Sequence, residues 1–168
     1  MRSIARASLF ASAFAAALTL SACATAPTAP EPQQLAVSAD WTLRDYDGRV
    51  HTVGAFLERG EPVVLVFWET WCGSCLAEAP KVERAHRADP RVHVVGVVAG
   101  GASDVDESEV RGTALRLGLS YPQVLDRDLA LTNGLAVQGT PTIVVLGRGG
   151  EVRFRGHELP ADLAAFVE

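Results

Sequence analysis

Two cysteines, Cys72 and Cys75, stand three positions apart directly after an apolar stretch over residues 63–68. Thiols at this spacing can close a disulfide with little backbone movement, as reversible thiol–disulfide exchange requires. Cys72 falls where an extended segment gives way to a helical pattern. The pKa of a thiol at a helix N-terminus is lowered from about 8.5 into the range of roughly 3.5–7.5. Cys72 is therefore the predicted nucleophile, and we expect it to be exposed.

Hydrophobic patterning predicts the elements that position the two cysteines. The apolar run over residues 63–68 is continuous and rich in β-branched side chains, which is typical of a strand buried on both faces. After Cys75, apolar residues recur at positions 76, 79 and 82, which is a helical spacing. We predict a helix over residues 72–88.

A purely structural disulfide is the alternative interpretation of the pair. So short a loop restricts the unfolded chain little, and redox exchange is therefore favoured. A tetrahedral zinc site would need two further ligands, and the four histidines show no clustered spacing. We expect neither a metal nor a separate cofactor, with the Cys72–Cys75 disulfide as the redox-active group.

The segment from Phe67 to Cys75 resembles the active-site segment of thioredoxin-fold thiol–disulfide oxidoreductases, most of all the membrane-anchored TlpA/ResA type. A second motif, Gly139-Thr140-Pro141-Thr142, is followed by an apolar run and supports the same resemblance. The likeness extends from about Trp41 to the end of the sequence. It implies an α/β, thioredoxin-like fold: a central mixed sheet flanked by helices, with an N-terminal hairpin and a helix–strand insertion.

The resemblance also implies roles for individual residues. Cys72 is expected to attack the substrate sulfur, and Cys75 to resolve the mixed disulfide. Pro141 is expected to have a cis peptide bond and to face the cysteines, while the backbone of Thr140 pairs with an extended substrate segment. The other substrate-binding candidates flank these residues: Trp71, Gly73, Ser74 and Gly139. Trp71 is alternatively a core residue.

Three positions depart from the resembled pattern. Val66 occupies the place of the buried acid that thioredoxins carry six residues before the first cysteine. Glu69 stands three residues before Cys72, where a small residue is usual. A carboxylate near a thiolate raises the thiol pKa, so Glu69 is a candidate modulator of the Cys72 pKa; the alternative is a solvated charge at the strand end. Ser74 replaces a frequent proline, which leaves the redox potential open.

Residues 1–23 predict a secretory lipoprotein signal. Arg2 and Arg6 precede an apolar region that is shorter than a typical membrane-spanning helix. The sequence Leu20-Ser21-Ala22-Cys23 resembles a lipobox, which implies that Cys23 carries a lipid anchor. A plain signal peptide with an incidental Cys23 is the alternative.

The rest of the chain is predicted to be a flexible tether, residues 24–38, and a single thioredoxin-like domain, residues 39–168. Loss of residues 1–23 would remove two arginines and change the net charge from −5 to −7, which argues against nucleic acid as a partner. We expect a monomer in the bacterial cell envelope, lipid-anchored to the membrane and facing the periplasm. Its expected partners are protein thiols and disulfides and an upstream membrane electron donor.

Turn and periodicity signals predict the remaining elements. Asp47-Gly48, between extended segments at 41–43 and 50–53, predicts a β-hairpin. Strands are also predicted at residues 93–98, 123–125, 143–146 and 152–154, and helices at 106–117, 128–135 and 160–167. Ser103 or Asp104 is expected to cap the helix over 106–117, and Gly118 to end it.

Four functional classes compete. The resemblance favours an envelope reductant of protein disulfides or of cytochrome c apoproteins. A thiol peroxidase has the same fold, but peroxiredoxins carry threonine where this chain has Glu69. A copper-carrying protein of the Sco type needs three residues between its cysteines and a histidine ligand in a late loop. A purely structural lipoprotein is the last alternative.

Overall fold

The computed structural model describes residues 42–100 and 105–166. The predicted signal segment 1–23, with its lipidated cysteine, and the tether 24–38 lie outside these ranges and stay predictions. Trp41, at the start of the predicted hairpin, also lies outside them. Within the described ranges, no helix has the length and apolar character that crossing a bilayer requires.

A small antiparallel hairpin precedes the main sheet. It pairs β1 (Thr42–Arg44) with β2 (Val50–Thr52), which confirms the hairpin predicted from Asp47-Gly48. The buried carboxylate of Asp45 accepts two backbone N–H groups of the connection, at 2.9 and 2.8 Å. Gly48 has a φ of 81°, a left-handed conformation that glycine adopts at little cost.

Helix α1 (Val53–Glu58) follows β2 directly. The prediction that Val53 belongs to the strand is wrong, because Val53 is the first residue of the helix. Val53 and Leu57 are both buried, and their i, i+4 spacing places them on one helical face.

The main sheet is mixed, as predicted. Its strands are β3 (Val63–Trp68), β4 (His93–Ala99), β5 (Gln123–Asp126), β6 (Thr142–Leu146) and β7 (Val152–Gly156). Their order is β5-β4-β3-β6-β7; β3, β4 and β5 are parallel, while β6 is antiparallel to β3 and to β7. All six side chains of the central strand β3 are buried, as expected from the continuous apolar run.

Helices cover both faces of this sheet. After α1, the helices are α2 (Gly73–Ala88), α3 (Glu107–Leu117) and α4 (Ala130–Gly134). Leu57 of α1 packs in a cluster with Phe67 on one face of the sheet. Val82 of α2 packs in a cluster with Val66 on the other. Alternate residues of β3 therefore contact opposite helical layers.

Helix α3 has a different cap from the one predicted. Asp106 is the N-cap, and its carboxylate accepts two backbone N–H groups of the first turn. The prediction of Ser103 or Asp104 as the cap is wrong, and both of those residues lie outside the described ranges. Gly118 ends the helix in the left-handed conformation, with a φ of 67°, which confirms the predicted stop.

The predicted closing helix over residues 160–167 is wrong within the described part of the chain. A single 3₁₀ turn, Ala164–Phe166, is the element found after Pro160. So short a helix is marginal in water without extensive packing. Here the Phe166 ring lies 5.3 Å from the ring of Phe154 in β7, and this contact holds the segment against the sheet.

The carboxylate of Glu83 links α2 to the chain before β5 through hydrogen bonds. Replacing Glu83 tests how much these bonds contribute to stability. The carboxylate accepts the N–H and the hydroxyl of Ser120, at 2.8 and 2.6 Å, and pairs with Arg87. Burial raises the pKa of Glu83, but these hydrogen bonds outweigh burial and hold the pKa below its usual value of 4.5. We expect Glu83→Gln to lower the free energy of unfolding at neutral pH by about 1–3 kcal/mol.

The pH dependence of this loss follows from the lowered pKa. Folding favours the ionised carboxylate, so its contribution is present above the unfolded pKa and disappears as the pH falls through the folded pKa. Urea unfolding at a series of pH values, from neutral to acidic, measures the difference between wild type and variant. Glu58→Gln, at an exposed carboxylate of α1, is the control and should change stability by less than about 0.5 kcal/mol. A Glu83 effect that does not shrink in acid would contradict the assignment.

Candidate active site

Cys72 and Cys75 lie where β3 gives way to α2, as predicted. Cys72 is the N-cap of α2, and Cys75 is in its first turn. The two form a disulfide with their Cα atoms 5.2 Å apart. The N–H of Cys75 is directed at Sγ of Cys72, 3.2 Å away. The N-terminus of α2, with its orphan N–H groups and positive dipole end, is therefore directed at the first sulfur.

The prediction that Cys72 is exposed is wrong for this disulfide form. Cys72 is 6% exposed and Cys75 is 4% exposed. The pair packs in a cluster with Trp68 of β3, with Val105 and with Val110 of α3. Val105, ahead of α3, thus packs in the same apolar cluster as the disulfide, which local sequence signals do not reveal.

The residues on either side of Cys72 are nevertheless at the surface. Trp71 is 77% exposed, so its interpretation as a core residue is wrong. Gly73 and Ser74 are exposed as well, and the Ser74 hydroxyl lies 3.4 Å from Sγ of Cys72. The buried disulfide therefore lies directly beneath an exposed rim formed by its own neighbours in sequence.

Pro141 lies at the same end of the sheet as the cysteines. The Thr140–Pro141 peptide bond is cis, as predicted. Thr142, the next residue, pairs with Phe67 near the end of β3. The hydroxyl of Thr142 donates to the carbonyl of Gly139 at 2.6 Å and closes the turn. The second motif is thus brought against the first.

A narrow internal cavity lies between Cys75 and Pro141. Val66 also lines it, as does Glu78 from the second turn of α2. Position 66 carries no acid, and Glu78 was not among the site residues predicted from the sequence. The available signal was helical spacing, because a residue three positions after Cys75 lies on the same face of α2.

The carboxylate of Glu78 is partly buried beside the cavity and is held by two polar contacts. Its side chain is 15% exposed, and its Oε1 accepts the backbone N–H of Leu159 at 2.7 Å. The same oxygen lies 3.3 Å from Nζ of Lys81. These contacts compensate the loss of water around the carboxylate.

An open groove of about 440 Å³ adjoins the cavity. It is lined by residues of α2, of the Pro141 loop and of the chain after β7: Ser74, Ala77, Glu78, Thr140, Pro141, His157 and Glu158. The groove brings together three predicted site residues, Ser74, Thr140 and Pro141. Gly73, Trp71 and Gly139 are exposed nearby in sequence but do not line it.

Glu69, the candidate pKa modulator, follows β3 directly. It is half-buried, and its backbone carbonyl accepts the N–H of Cys72 at 3.2 Å. The backbone of Glu69 thus helps to shape the turn into α2, while the effect of its carboxylate on Cys72 stays a prediction.

The buried side-chain amide of Gln123 holds Trp68 in place beside the cysteines. The indole N–H of Trp68 donates to Oε1 of Gln123 at 2.9 Å, and Nε2 of Gln123 donates to the carbonyl of Tyr121. A Cβ atom at Gly96 would lie 1.9 Å from Oε1 of Gln123, so only glycine fits at this crossing of β4. Burial raises the pKa of Tyr121, which lines the cavity with Cys75.

A larger concavity of about 730 Å³ lies elsewhere, between the C-terminal half of α2 and the chain after residue 158. Three arginines, Arg59, Arg91 and Arg148, contribute to its lining. Neither Cys72 nor Cys75 lines it, and Arg59 and Arg91 are paired with Glu61 and Asp89. Size alone therefore does not identify the site of chemistry in this protein.

Comparison with known proteins agrees with this geometry. The sequence model of the Redoxin family matches residues 27–162. The thiol-disulfide oxidoreductase ResA of Geobacillus thermodenitrificans is 31% identical over 116 residues, which cover 68% of this chain and 63% of the relative. The chain thus spans less than two thirds of the length of that relative.

Solved structures show the same fold. The crystal structure of a secreted Mycobacterium tuberculosis disulfide oxidoreductase, homologous to Escherichia coli DsbE, has a TM-score of 0.59 and 26% identity, covering 73% of this chain and 86% of that one. StoA from Bacillus subtilis has a TM-score of 0.64 and 24% identity, covering 80% of this chain and all of that one (100%). The predicted thioredoxin-like fold and the likeness to ResA are confirmed, and the chain belongs to the redoxin family.

Proposed function

We propose that this chain is a thiol–disulfide oxidoreductase of the cell envelope that reduces disulfides in protein substrates. One observation carries the proposal: the Cys72–Cys75 disulfide lies at the start of α2, against the Pro141 loop and beside an open groove. A disulfide with a purely structural role has no use for such a groove. The short loop that it closes would also contribute little stability.

In the first step the Cys72 thiolate attacks one sulfur of a substrate disulfide. The bond between the two substrate sulfurs breaks, a mixed disulfide with Cys72 forms, and one substrate thiolate leaves and takes a proton from water. The N-terminus of α2 favours the attacking thiolate over the thiol. In the reduced protein the Cys72 sulfur is released from Cys75, and the exposed Gly73 and Ser74 leave it a path to the substrate.

In the second step the Cys75 sulfur attacks Sγ of Cys72. The mixed disulfide breaks, and the second substrate thiolate leaves. The substrate has gained two electrons, and the Cys72–Cys75 disulfide has formed. Cys75 must lose its proton before it attacks, and we assign this proton to Glu78, the carboxylate that shares its cavity. A dithiol of an upstream membrane donor then reduces the disulfide again.

The location and partners belong to the same proposal. Residues 1–23 have the pattern of a lipoprotein signal, with Cys23 as the anchor and residues 24–38 as the tether. The Mycobacterium tuberculosis relative is a secreted protein, which supports a position outside the cytoplasm. We propose a monomer that faces the periplasm, with cytochrome c apoproteins among its substrates.

Trapping of substrates tests the exchange. Cys75→Ser blocks the second step, so covalent adducts with substrate proteins should accumulate at Cys72, and Cys72→Ser should form none. Non-reducing gels and mass spectrometry of envelope fractions measure the adducts, and insulin reduction measures the activity. Peroxide turnover and copper titration of the reduced wild type test the two competing functions. An absence of adducts in Cys75→Ser under both oxidising and reducing growth would contradict the proposal.

Glu69→Gln tests the carboxylate nearest in sequence to Cys72. Removal of a negative charge should lower the Cys72 pKa by up to about one pH unit, because like-charge repulsion no longer opposes the thiolate. The pair should then become less reducing. Thiolate absorbance as a function of pH measures the pKa, with Glu58→Gln as the control. An unchanged titration rules the role out.

Glu78→Gln tests the proton acceptor of the second step. Glutamine keeps an oxygen for the N–H of Leu159 but does not take up a proton. We expect the first step to keep its rate and resolution by Cys75 to slow by about a hundredfold. Rapid-quench trapping of the mixed disulfide separates the two steps, with Glu109→Gln on the exposed side of α3 as the control. Equal slowing of both steps would speak against this assignment.

A further inference from the structure

His157 joins the chain after β7 to the Pro141 loop. Its Nδ1 lies 2.7 Å from the carbonyl oxygen of Pro141. A carbonyl oxygen only accepts hydrogen bonds, so Nδ1 carries the hydrogen and donates it. In a neutral ring this leaves Nε2 as an acceptor. The contact with Pro141 therefore fixes both the ring and its tautomer.

The other side of this ring is available to a ligand. His157 is exposed and lines the 440 Å³ groove between the Pro141 loop and α2. Nε2 has no hydrogen-bond partner among residues 42–100 and 105–166. The charged groups around this part of the groove are Glu78 and Glu158, with Lys81 at 3.3 and 3.8 Å from their carboxylates.

We propose that His157 is a substrate-contacting residue of the exchange reaction. Its Nδ1–H holds the Pro141 carbonyl in place, while its Nε2 accepts a backbone N–H of an extended polypeptide that lies along the Thr140–Pro141 loop. This inference rests on the proposed function and specifies its substrate class as extended protein segments rather than small disulfides. A polypeptide that leaves water for the groove needs such an acceptor, because an unpaired N–H is costly.

Two variants separate the two nitrogens. His157→Asn keeps an amide donor at the place of Nδ1 and removes Nε2, whereas His157→Ala removes both. For a disulfide-bonded polypeptide we expect His157→Asn to raise KM about three- to tenfold, the effect of one lost hydrogen bond, with little change in kcat. Reduction of dimethyl disulfide, which has no hydrogen-bond donor to offer, should be unchanged. A wild-type KM in His157→Asn would overturn the proposal and leave His157 as a positioning residue for Pro141.

A spectroscopic experiment observes the contact directly. In the full chain carrying Cys23→Ser and Cys75→Ser, Cys72 is the only thiol. It is coupled either to a ten-residue peptide, through an activated pyridyl disulfide on the peptide cysteine, or to a methylthio group. Long-range ¹H–¹⁵N spectra of the histidine rings should show Nδ1 protonated in both adducts and a shifted Nε2 resonance in the peptide adduct alone.

The outcomes distinguish this inference from the proposed function. Labelling of Cys72 with the same Nε2 resonance in both adducts would overturn the role of His157 and leave thiol exchange intact. Failure of Cys72 to react with the activated peptide would contradict both. Neither result depends on turnover by the variant.

Discussion

The antiparallel pairing of β3 with β6 is the constraint on which the site depends. β3 delivers Cys72 to the start of α2, and β6 begins immediately after Pro141, so the two motifs meet at one end of the sheet. The register places Thr142 opposite Phe67. All side chains of both strands are buried, and a slip by one residue would turn each of them to the opposite face. Core packing therefore fixes the position of the Pro141 loop relative to the cysteines.

The short segment after β7 supports this arrangement from the other side. His157 donates to the carbonyl of Pro141, and the N–H of Leu159 donates to Glu78. One strand end thus holds both the loop beside the disulfide and the acid beside Cys75. Leu159 is itself buried in the cluster that contains Val66, so the segment is anchored by apolar contact as well as by hydrogen bonds. A carboxylate at Glu78 is tolerated because these contacts replace water.

Sequence patterns within a few residues correctly predicted the elements that local interactions determine. The apolar run ahead of Cys72, the helical spacing after Cys75 and the Asp47-Gly48 turn each specify an element within a few residues, and all three elements are present. Apart from the Pro141 loop, whose place beside the cysteines the family resemblance implied, contacts between distant segments were missed. Nothing near Cys72 in sequence indicates that Val105 packs in the same cluster, or that the N–H of Leu159 donates to Glu78. The prediction of a closing helix was wrong for the same reason, because the conformation of so short a segment depends on what it packs against.

The burial of Cys72 bears on how the proposed reaction selects its partners. Thiol–disulfide exchange depends on access to the attacked sulfur as well as on its thiolate character. In the disulfide form both sulfurs lie beneath the exposed rim of Trp71, Gly73 and Ser74, which limits attack by thiols that merely collide with the surface. A donor that reduced this form would therefore have to approach through the same rim as the proposed substrate. Donor and substrate would then occupy one surface in turn, so that each leaves before the other can react.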